Sequence, residues 1–576
     1  MSTASAAVTR EQRIRVTGRA IVPRDAVPSA AWRAAATGAI TIGVAIRLVL
    51  YAHRTSLWLD ESMIALNIGS RGFVGLTRPL DFDQAASIPF LWATKLATLA
   101  FGMNEWSLRL VPLLASLALL VLFWRAARSL VGEEEALLAT TFAACSMLLI
   151  TYSAEVKQYG IDGFVTAAIL ALATPVLTDV TRAARWRYLA IGGGVALCCS
   201  MPAVFTLAGI SAALVADRRI RDDPTRARHL VIMTAGWSLL FALLYFFVYR
   251  STVHSAYLGR FWQSSFLTLG LPDTPRRIAN GLYQTFFGPF VTQIGVPETK
   301  DALFLVGTGV WVVGVAAAGY THRVSMALLL AVPYLACFAA SVVGRYPMAG
   351  RMLLFATPLL YLAGASTVLV VVDHWPRRWR RFAYWALLLG FAVMLVNKVA
   401  RLAIHPISHE ESRDFIHDLD QRTGHDPVYV FASGVPAWLF YTTDWQSPDT
   451  ARLRWYASVA SSTGRAFANA PSRGMRSMQD GDGLTYNYHG REEIVGVGDG
   501  MEYQSGVRFL RPQPDPGWAA TEAARIRAAA RPTVSLYASH FTAGELHPLL
   551  AAIRDLGGGV EFARTQQSAV LYRIRF

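Results

Sequence analysis

Residues 107–128 read SLRLVPLLASLALLVLFWRAAR. The stretch is apolar over about 20 residues, the length an α-helix needs to cross a hydrocarbon core, and it closes on Arg125 and Arg128. Backbone N–H and C=O groups have no water to bond inside lipid, so such a run closes its own hydrogen bonds as a helix. A buried helix of a water-soluble protein explains one or two such runs. Here about eleven recur, from Ala31 to Ile404, and then they stop.

Composition agrees. Of the 576 residues, 53% are hydrophobic and only 16% are charged, against about a quarter in ordinary soluble domains. The mean hydropathy is +0.34. The net charge of +15 would point to nucleic acid in a soluble chain. Here the arginines cluster in short loops between apolar runs, which is the positive-inside pattern, and no nucleic-acid module is visible. The four cysteines, Cys145, Cys198, Cys199 and Cys337, all fall inside apolar runs, where Cys acts as a small hydrophobe.

Placing the basic loops at 125–128, 182–187, 218–229, 322–323 and 377–381 in the cytoplasm sets the topology. Residues 1–32 are polar and basic and form a cytoplasmic tail, with no cleavable signal peptide. The expected spans are 33–53, 107–128, 136–153, 162–179, 188–201, 203–217, 229–250, 302–320, 324–343, 352–372 and 382–403. They leave long outer loops at 54–106 and 251–301 and an outer turn at 344–351. Residues 87–102 (SIPFLWATKLATLAFG) are apolar but short, and are read as a helix along the outer surface with Lys95 snorkelling. An odd number of crossings puts 404–576 outside.

The expected organisation is therefore a tail (1–32), a polytopic α-helical membrane domain (33–403) and an extracytoplasmic α/β domain (404–576). In that last part 427–432, 533–539 and 569–576 read as strands and 517–530 and 543–556 as helices. Residues 445–490, rich in Ser, Gly, Asp and Arg, read as long loops, and 557–559 as a turn.

Charged groups near membrane helices are expensive, so they mark candidate sites. Asp60 and Glu61 follow Trp58-Leu59 just beyond the first span; adjacent carboxylates beside apolar side chains resist ionisation, and one can serve as a base. The segment Tyr152-Ser153-Ala154-Glu155-Val156-Lys157-Gln158-Tyr159-Gly160-Ile161-Asp162 is polar between two spans. If it is helical, Glu155, Tyr159 and Asp162 share one face and suit sugar hydroxyls. The turn Gly344-Arg345-Tyr346-Pro347-Met348-Ala349-Gly350-Arg351 carries two guanidiniums suited to phosphate oxygens. His405, His409, Glu410 and Glu411 have metal-ligand chemistry, but Ser408 capping a helix explains the stretch better. Gly192, Gly193 and Gly194 fit helix packing.

Carboxylates, cations and sugar-sized polar groups together suit one reaction, transfer of a sugar from a lipid phosphate to an acceptor hydroxyl. The leaving phosphate has a second pKa of about 6, so it needs positive charge and no proton, whereas the acceptor hydroxyl needs a base.

The order Trp58-Leu59-Asp60-Glu61, then Phe101-Gly102-Met103-Asn104-Glu105-Trp106-Ser107-Leu108-Arg109-Leu110, then Arg125-Ala126-Ala127-Arg128, then Tyr152 to Tyr159 resembles glycosyltransferase family 39 of the GT-C superfamily. That group includes protein O-mannosyltransferases and lipid A aminoarabinose transferases. The resemblance covers about residues 33–200 and the later helices by layout. It implies a polyprenyl-phosphate sugar donor and an inverting reaction, with Asp60 as base and Glu61 supporting it. It also implies Lys157 and, by a looser match, Arg351 at the donor phosphate. Where the family has Pro-Pro before the surface helix, this chain has Ile88-Pro89. Acidic pairs recruit a divalent ion in some related enzymes; the sequence leaves a metal, the sugar and the acceptor (glycan, lipid or protein) open. The Ala- and Arg-rich composition points to a bacterial inner membrane, with the C-terminal domain periplasmic in the cell envelope. A lipid or sugar transporter or flippase would place its ionisable groups at the midplane with repeat symmetry, which is not seen. A non-catalytic assembly subunit would tolerate Asp60→Asn.

Overall fold

The structure is a computed structural model that describes residues 30–254, 256–267, 272, 274–278, 300–348, 350–405, 410–423, 426–456, 485–496, 517–541, 543–566 and 568–576. The expected N-terminal tail, most of the loop 251–301 and the Ser408 cap lie outside the described residues. The first helices are α1 (Ala30–Ala52), α2 (Leu59–Ser70), α3 (Ile88–Phe101), α4 (Glu105–Val131), α5 (Glu133–Cys145), α6 (Met147–Thr151), α7 (Tyr159–Thr178), α8 (Ala183–Cys199) and α9 (Ala203–Ala216). There follow α10 (Pro224–Leu244), α11 (Lys300–Thr321), α12 (Val324–Val342), α13 (Thr357–Asp373) and α14 (Arg377–Ile404). The C-terminal part holds α15 (Ser412–Thr423), β1 (Val428–Val430), α16 (Val435–Thr442), β2 (Thr485–Tyr488) and β3 (Arg491–Val495). It continues through α17 (Trp518–Ala529), β4 (Thr533–Ser539), α18 (Ala543–Asp555), β5 (Gly559–Gln566) and β6 (Ala569–Arg575).

Among the described residues seven helices are long and apolar enough to cross a membrane: Ala30–Ala52, Glu105–Val131, Tyr159–Thr178, Pro224–Tyr249, Val324–Val342, Gly350–Asp373 and Arg378–Ile404. The chain is thus a multi-pass membrane protein. The other four expected spans are helical too, for stated reasons outside that set. The run 136–153 is broken at Ser146 into α5 and α6; α8 has 17 residues and α9 has 14; and the side chains that open α11 lie outside the described residues.

Contacts divide the chain into two units: residues 1–51, 112–253 and 262–404 in the first, and 52–111, 254–261 and 405–576 in the second. In the first, close packing needs glycine. A side chain at Gly193 would strike the Trp237 ring, and one at Gly209 would strike Pro333. The glycines of α8 therefore serve helix packing, as expected. The break at Ser146 leaves carbonyls at the end of α5 without helical partners, and Arg47, fully buried on α1, answers them. Its guanidinium donates to the carbonyls of Ala143 (3.3 Å) and Ala144 (3.5 Å), to Gly43 O (2.8 Å) and to Ser116 Oγ (2.7 Å). A cation at a helix C-terminus is favourable, and apolar patterning alone does not disclose such a break.

The second unit holds a six-stranded sheet in the order β2-β3-β1-β4-β6-β5. β1 runs parallel to β3 and β4, while β2, β5 and β6 pair antiparallel with their neighbours. Central β1 and β4 are wholly buried, as strands covered on both faces must be. Helices α17 and α18 pack together, and Ala523, Ile526, Leu549 and Ile553 from them join Tyr429, Leu536 and Ile574 in the core. Burying each large apolar side chain contributes about 1.5–3 kcal/mol. The expected strands and helices of this part are present. Two additions fall within 445–490: residues 450–456 are helical, started by Asp449 accepting from the N–H groups of Ala451 and Arg452 (both 2.9 Å), and β2 is a strand. Gly557 has φ +87° and makes the expected turn before β5. Helix α3 has 14 residues, with Pro89 in its first turn. Lys95 does not snorkel. Its ammonium donates to the carbonyls of Ile68 (2.7 Å) and Gly69 (3.3 Å), which end α2, because a cation there answers orphan carbonyls.

Candidate functional site

The expected site residues fall into two clusters, one in each unit. In the second unit, Asp60 and Glu61 open α2. Acidic residues in a first turn suit the partial positive charge of a helix N-terminus. Asp60 is half-buried. Glu61 is buried, and Arg109 grips it with both arms of its fork, Nη2 to Oε2 at 2.6 Å and Nε to Oε1 at 2.9 Å. The same arginine donates to the carbonyls of Thr55 (2.7 Å) and Ser56 (3.2 Å), so it ties the loop before α2 to the start of α4. One turn earlier on α4, buried Glu105 accepts from Arg54 (2.9 Å), Arg413 (3.0 Å) and the Tyr441 hydroxyl (3.0 Å). Burial works against the Arg413 charge, but Glu105, Tyr441 and Asp414 together outweigh it and raise its pKa. Burial likewise pushes the Tyr441 phenol up, helped by Glu105, so this hydroxyl keeps its proton to donate.

In the first unit, the segment after Tyr152 is a series of turns and bends up to Gln158, and helix begins only at Tyr159. Glu155 therefore does not share a helical face with Tyr159 and Asp162, contrary to the spacing argument. Gly160 lies so close to the Tyr152 carbonyl that any side chain there would collide with it, and this contact folds the turn back on itself. Glu155 and Lys157 are buried in the turn, whose backbone closes with Lys157 N–H on Glu155 O at 2.7 Å. The cluster forms by another route. The Arg351 guanidinium stacks on Tyr159 (5.3 Å) and on Trp262 (5.2 Å) and donates to the Tyr152 hydroxyl; Tyr152 meets Tyr159 edge-on at 5.5 Å. The buried Tyr346 phenol is lifted well above its ordinary value by burial first, then by the Asp162 charge. Asp162 is engaged by Ser200 Oγ at 2.6 Å, a partner from the end of α8. Arg345 stays exposed, its N–H on Ala340 O at 2.9 Å.

Glu105, Arg109, Arg413, Tyr441 and Trp262 are among the participants that carried no assigned role in the sequence. Glu105 and Arg109 stand at i and i+4 where a span begins, which was the available signal. Arg413, Tyr441 and Trp262 had none, since their partners are distant in the chain. Among the described residues no three His, Cys, Asp or Glu side chains gather as metal ligands.

Helical spans, a sheet-bearing C-terminal part and buried polar clusters next to span ends define a multi-pass membrane protein with a built polar site. Residues 86–249, under a third of the chain, match the family profile described as dolichyl-phosphate-mannose-protein mannosyltransferase. The match accords with the resemblance stated above; it takes in Glu105, Arg109, the turn after Tyr152 and Asp162, and leaves Asp60 and Arg351 outside. Among solved structures the chain is similar to ArnT from Cupriavidus metallidurans in the apo state, with 15% identity, 94% of this chain and 98% of that chain covered and a TM-score of 0.48. For the same protein bound to undecaprenyl phosphate the identity is 14%, the coverage 95% and 98%, and the TM-score 0.47. An Archaeoglobus fulgidus oligosaccharyltransferase tethered with an acceptor peptide gives 11% identity, 70% and 62% coverage and a TM-score of 0.44. No curated protein sequence matches the chain.

Proposed function

We propose that this chain is a membrane glycosyltransferase that moves a sugar from a polyprenyl-phosphate donor to an acceptor hydroxyl, with inversion. The observation that carries the reading is the polar turn inside the matched mannosyltransferase segment. That turn buries Glu155 and Lys157, and the half-buried ring of Tyr159, which opens the next helix, holds the Arg351 guanidinium. In this scheme Asp60 takes the proton of the acceptor hydroxyl as its oxygen attacks the anomeric carbon. The bond from that carbon to the phosphate oxygen breaks, and polyprenyl phosphate leaves with the electron pair. Arg351 and Lys157 offset the charge it gains, and electrostatic stabilisation placed where charge develops is a large catalytic term. Arg345, exposed in the same outer turn, adds positive charge for the donor phosphate, and Glu155, Tyr159 and Asp162 line the sugar. Glu61 supports Asp60 by fixing Arg109. In this reading the N-terminus lies in the cytoplasm, with the site and residues 404–576 on the outer face of a bacterial inner membrane; the positive-inside pattern of the basic loops supports the orientation.

The test is reconstitution in lipid nanodiscs with a panel of radiolabelled polyprenyl-phosphate sugars, with and without divalent metal, following release of sugar from lipid. Release by the wild type from one donor supports the reading and names the sugar. A panel in which no donor binds or reacts overturns it in favour of transport or assembly.

A further inference from the structure

Helix α2, which carries Asp60, supplies only part of its own cap. Its N-cap residue is Trp58, whose side chain makes no capping hydrogen bond, and tryptophan has no acceptor to offer. The first-turn N–H groups of a helix must nevertheless find partners. Glu61 reaches back to the Trp58 N–H at 3.4 Å. The Leu59 N–H is met by Glu410 Oε1, also at 3.4 Å, from 351 residues further along the chain. Glu410 is completely buried, and its carboxylate is held by His540 Nδ1 at 3.0 Å. His540 in turn lies against Trp58, with ring centroids 6.3 Å apart.

The neighbouring main chain is gripped the same way. The Leu57 N–H donates to the Tyr441 hydroxyl at 2.7 Å. Arg413 N–H donates to Ser56 Oγ at 3.2 Å, and the Arg413 guanidinium donates to Arg54 O at 2.8 Å. At the far end of α2, the Trp445 ring fills the space where a side chain at Gly69 would lie. All these residues belong to the second unit. A surface loop would leave the Leu57 and Leu59 N–H groups to water; instead both are answered by residues beyond position 404.

We propose that Glu410 and Tyr441 are positioning residues, through which the C-terminal sheet domain sets the geometry of the Asp60 loop. This rests on the reading of Asp60 as the base. The domain then acts on catalysis without touching substrate: Glu410 supplies both the missing part of the cap and a negative charge at the helix N-terminus, and Tyr441 fixes the register of Leu57.

The experiment uses the full-length protein in nanodiscs with two readouts. Hydrogen–deuterium exchange of peptides spanning residues 57–62 reports the clamp without reference to activity. Sugar release from the donor identified above gives kcat and KM. Expected for Glu410→Ala is faster exchange at Leu59 and a kcat lower by about tenfold to a hundredfold, the usual cost of a small misplacement, with donor KM changed by less than about twofold. Glu410→Gln, which keeps an acceptor oxygen and the side-chain volume, recovers most of the rate. Tyr441→Phe leaves the packing and removes the hydroxyl, so it loses protection at Leu57 with a fall in kcat. Unchanged exchange and kcat in both Glu410→Ala and Tyr441→Phe overturn the proposal. So does a loss that Glu410→Gln shares in full, with an equally lowered melting temperature, because that reports general structural damage. If the wild type releases no sugar from any donor, the glycosyltransferase reading fails by itself, while the exchange data still report whether the clamp exists.

Discussion

Glu61 is buried and Arg351 half-buried, and the protein steadies these two charged groups in opposite ways. Glu61 is matched by Arg109 in a two-armed ion pair, with side-chain exposures of 1% and 5%. Arg351 instead lies over the faces of the Tyr159 and Trp262 rings. Matched buried charges satisfy each other and define a shape. A guanidinium over ring faces meets ligands with its in-plane N–H edge, which is the edge that fits phosphate oxygens. Asp60, half-buried beside Glu61, borrows the rigidity of the first arrangement. The comparison therefore separates a framework that aims a carboxylate from a cradle that aims a cation.

The largest effect expected is on turnover. Asp60→Asn should slow sugar release by about 10²–10⁴-fold, the contribution of a general base, with the melting temperature unchanged. If Asp60→Asn reacts normally, the framework aims nothing. Next comes stability. Glu61→Ala leaves Arg109 buried without its carboxylate and should cost about 3–5 kcal/mol, read as a lowered denaturation midpoint. The converse substitution, Arg109→Ala, should cost a similar amount. Arg351→Lys keeps the charge but loses the planar stack and fork. Donor affinity should weaken by about tenfold by titration, with little change in stability. The smallest effect lies outside both clusters. Asp449 is held below the usual carboxylate range, chiefly by the Arg452 N–H. Its stabilising contribution is complete above the unfolded value of about 4 and is lost as pH falls through the lower folded value. Asp449→Ala should cost about 1 kcal/mol at neutral pH, and the wild type and variant should converge in acid.

The helical layout was legible because lipid permits so few backbone solutions that an apolar run of sufficient length nearly dictates a helix. Breaks inside such runs were not: Ser146 sits in an uninterrupted apolar stretch, and only the buried Arg47 shows where carbonyls were left over. Of the proposed site, Asp60, Glu61, Lys157, Tyr159 and Arg351 stood out as residue types in an ordered series. The periodicity argument for Glu155, Tyr159 and Asp162 failed because helix begins only at Tyr159, and Gly160 folds the preceding turn back. Partners such as Glu105 with Arg413, or Glu410 with Leu59, are separated by some 300 residues or more. No local pattern records a pairing of that range. Lys95 shows the same limit in small form: snorkelling was a fair reading of an isolated helix, but two carbonyls at the end of α2 bind it instead.

The division of labour between the two clusters is tested most directly by measuring donor binding and single-turnover sugar release side by side in nanodiscs, for the wild type, Asp60→Asn and Arg351→Ala. The account predicts that Asp60→Asn binds donor like the wild type and fails to turn over, whereas Arg351→Ala loses affinity for donor. Equal loss of donor binding in both variants, or release by Asp60→Asn at the wild-type rate, would contradict it.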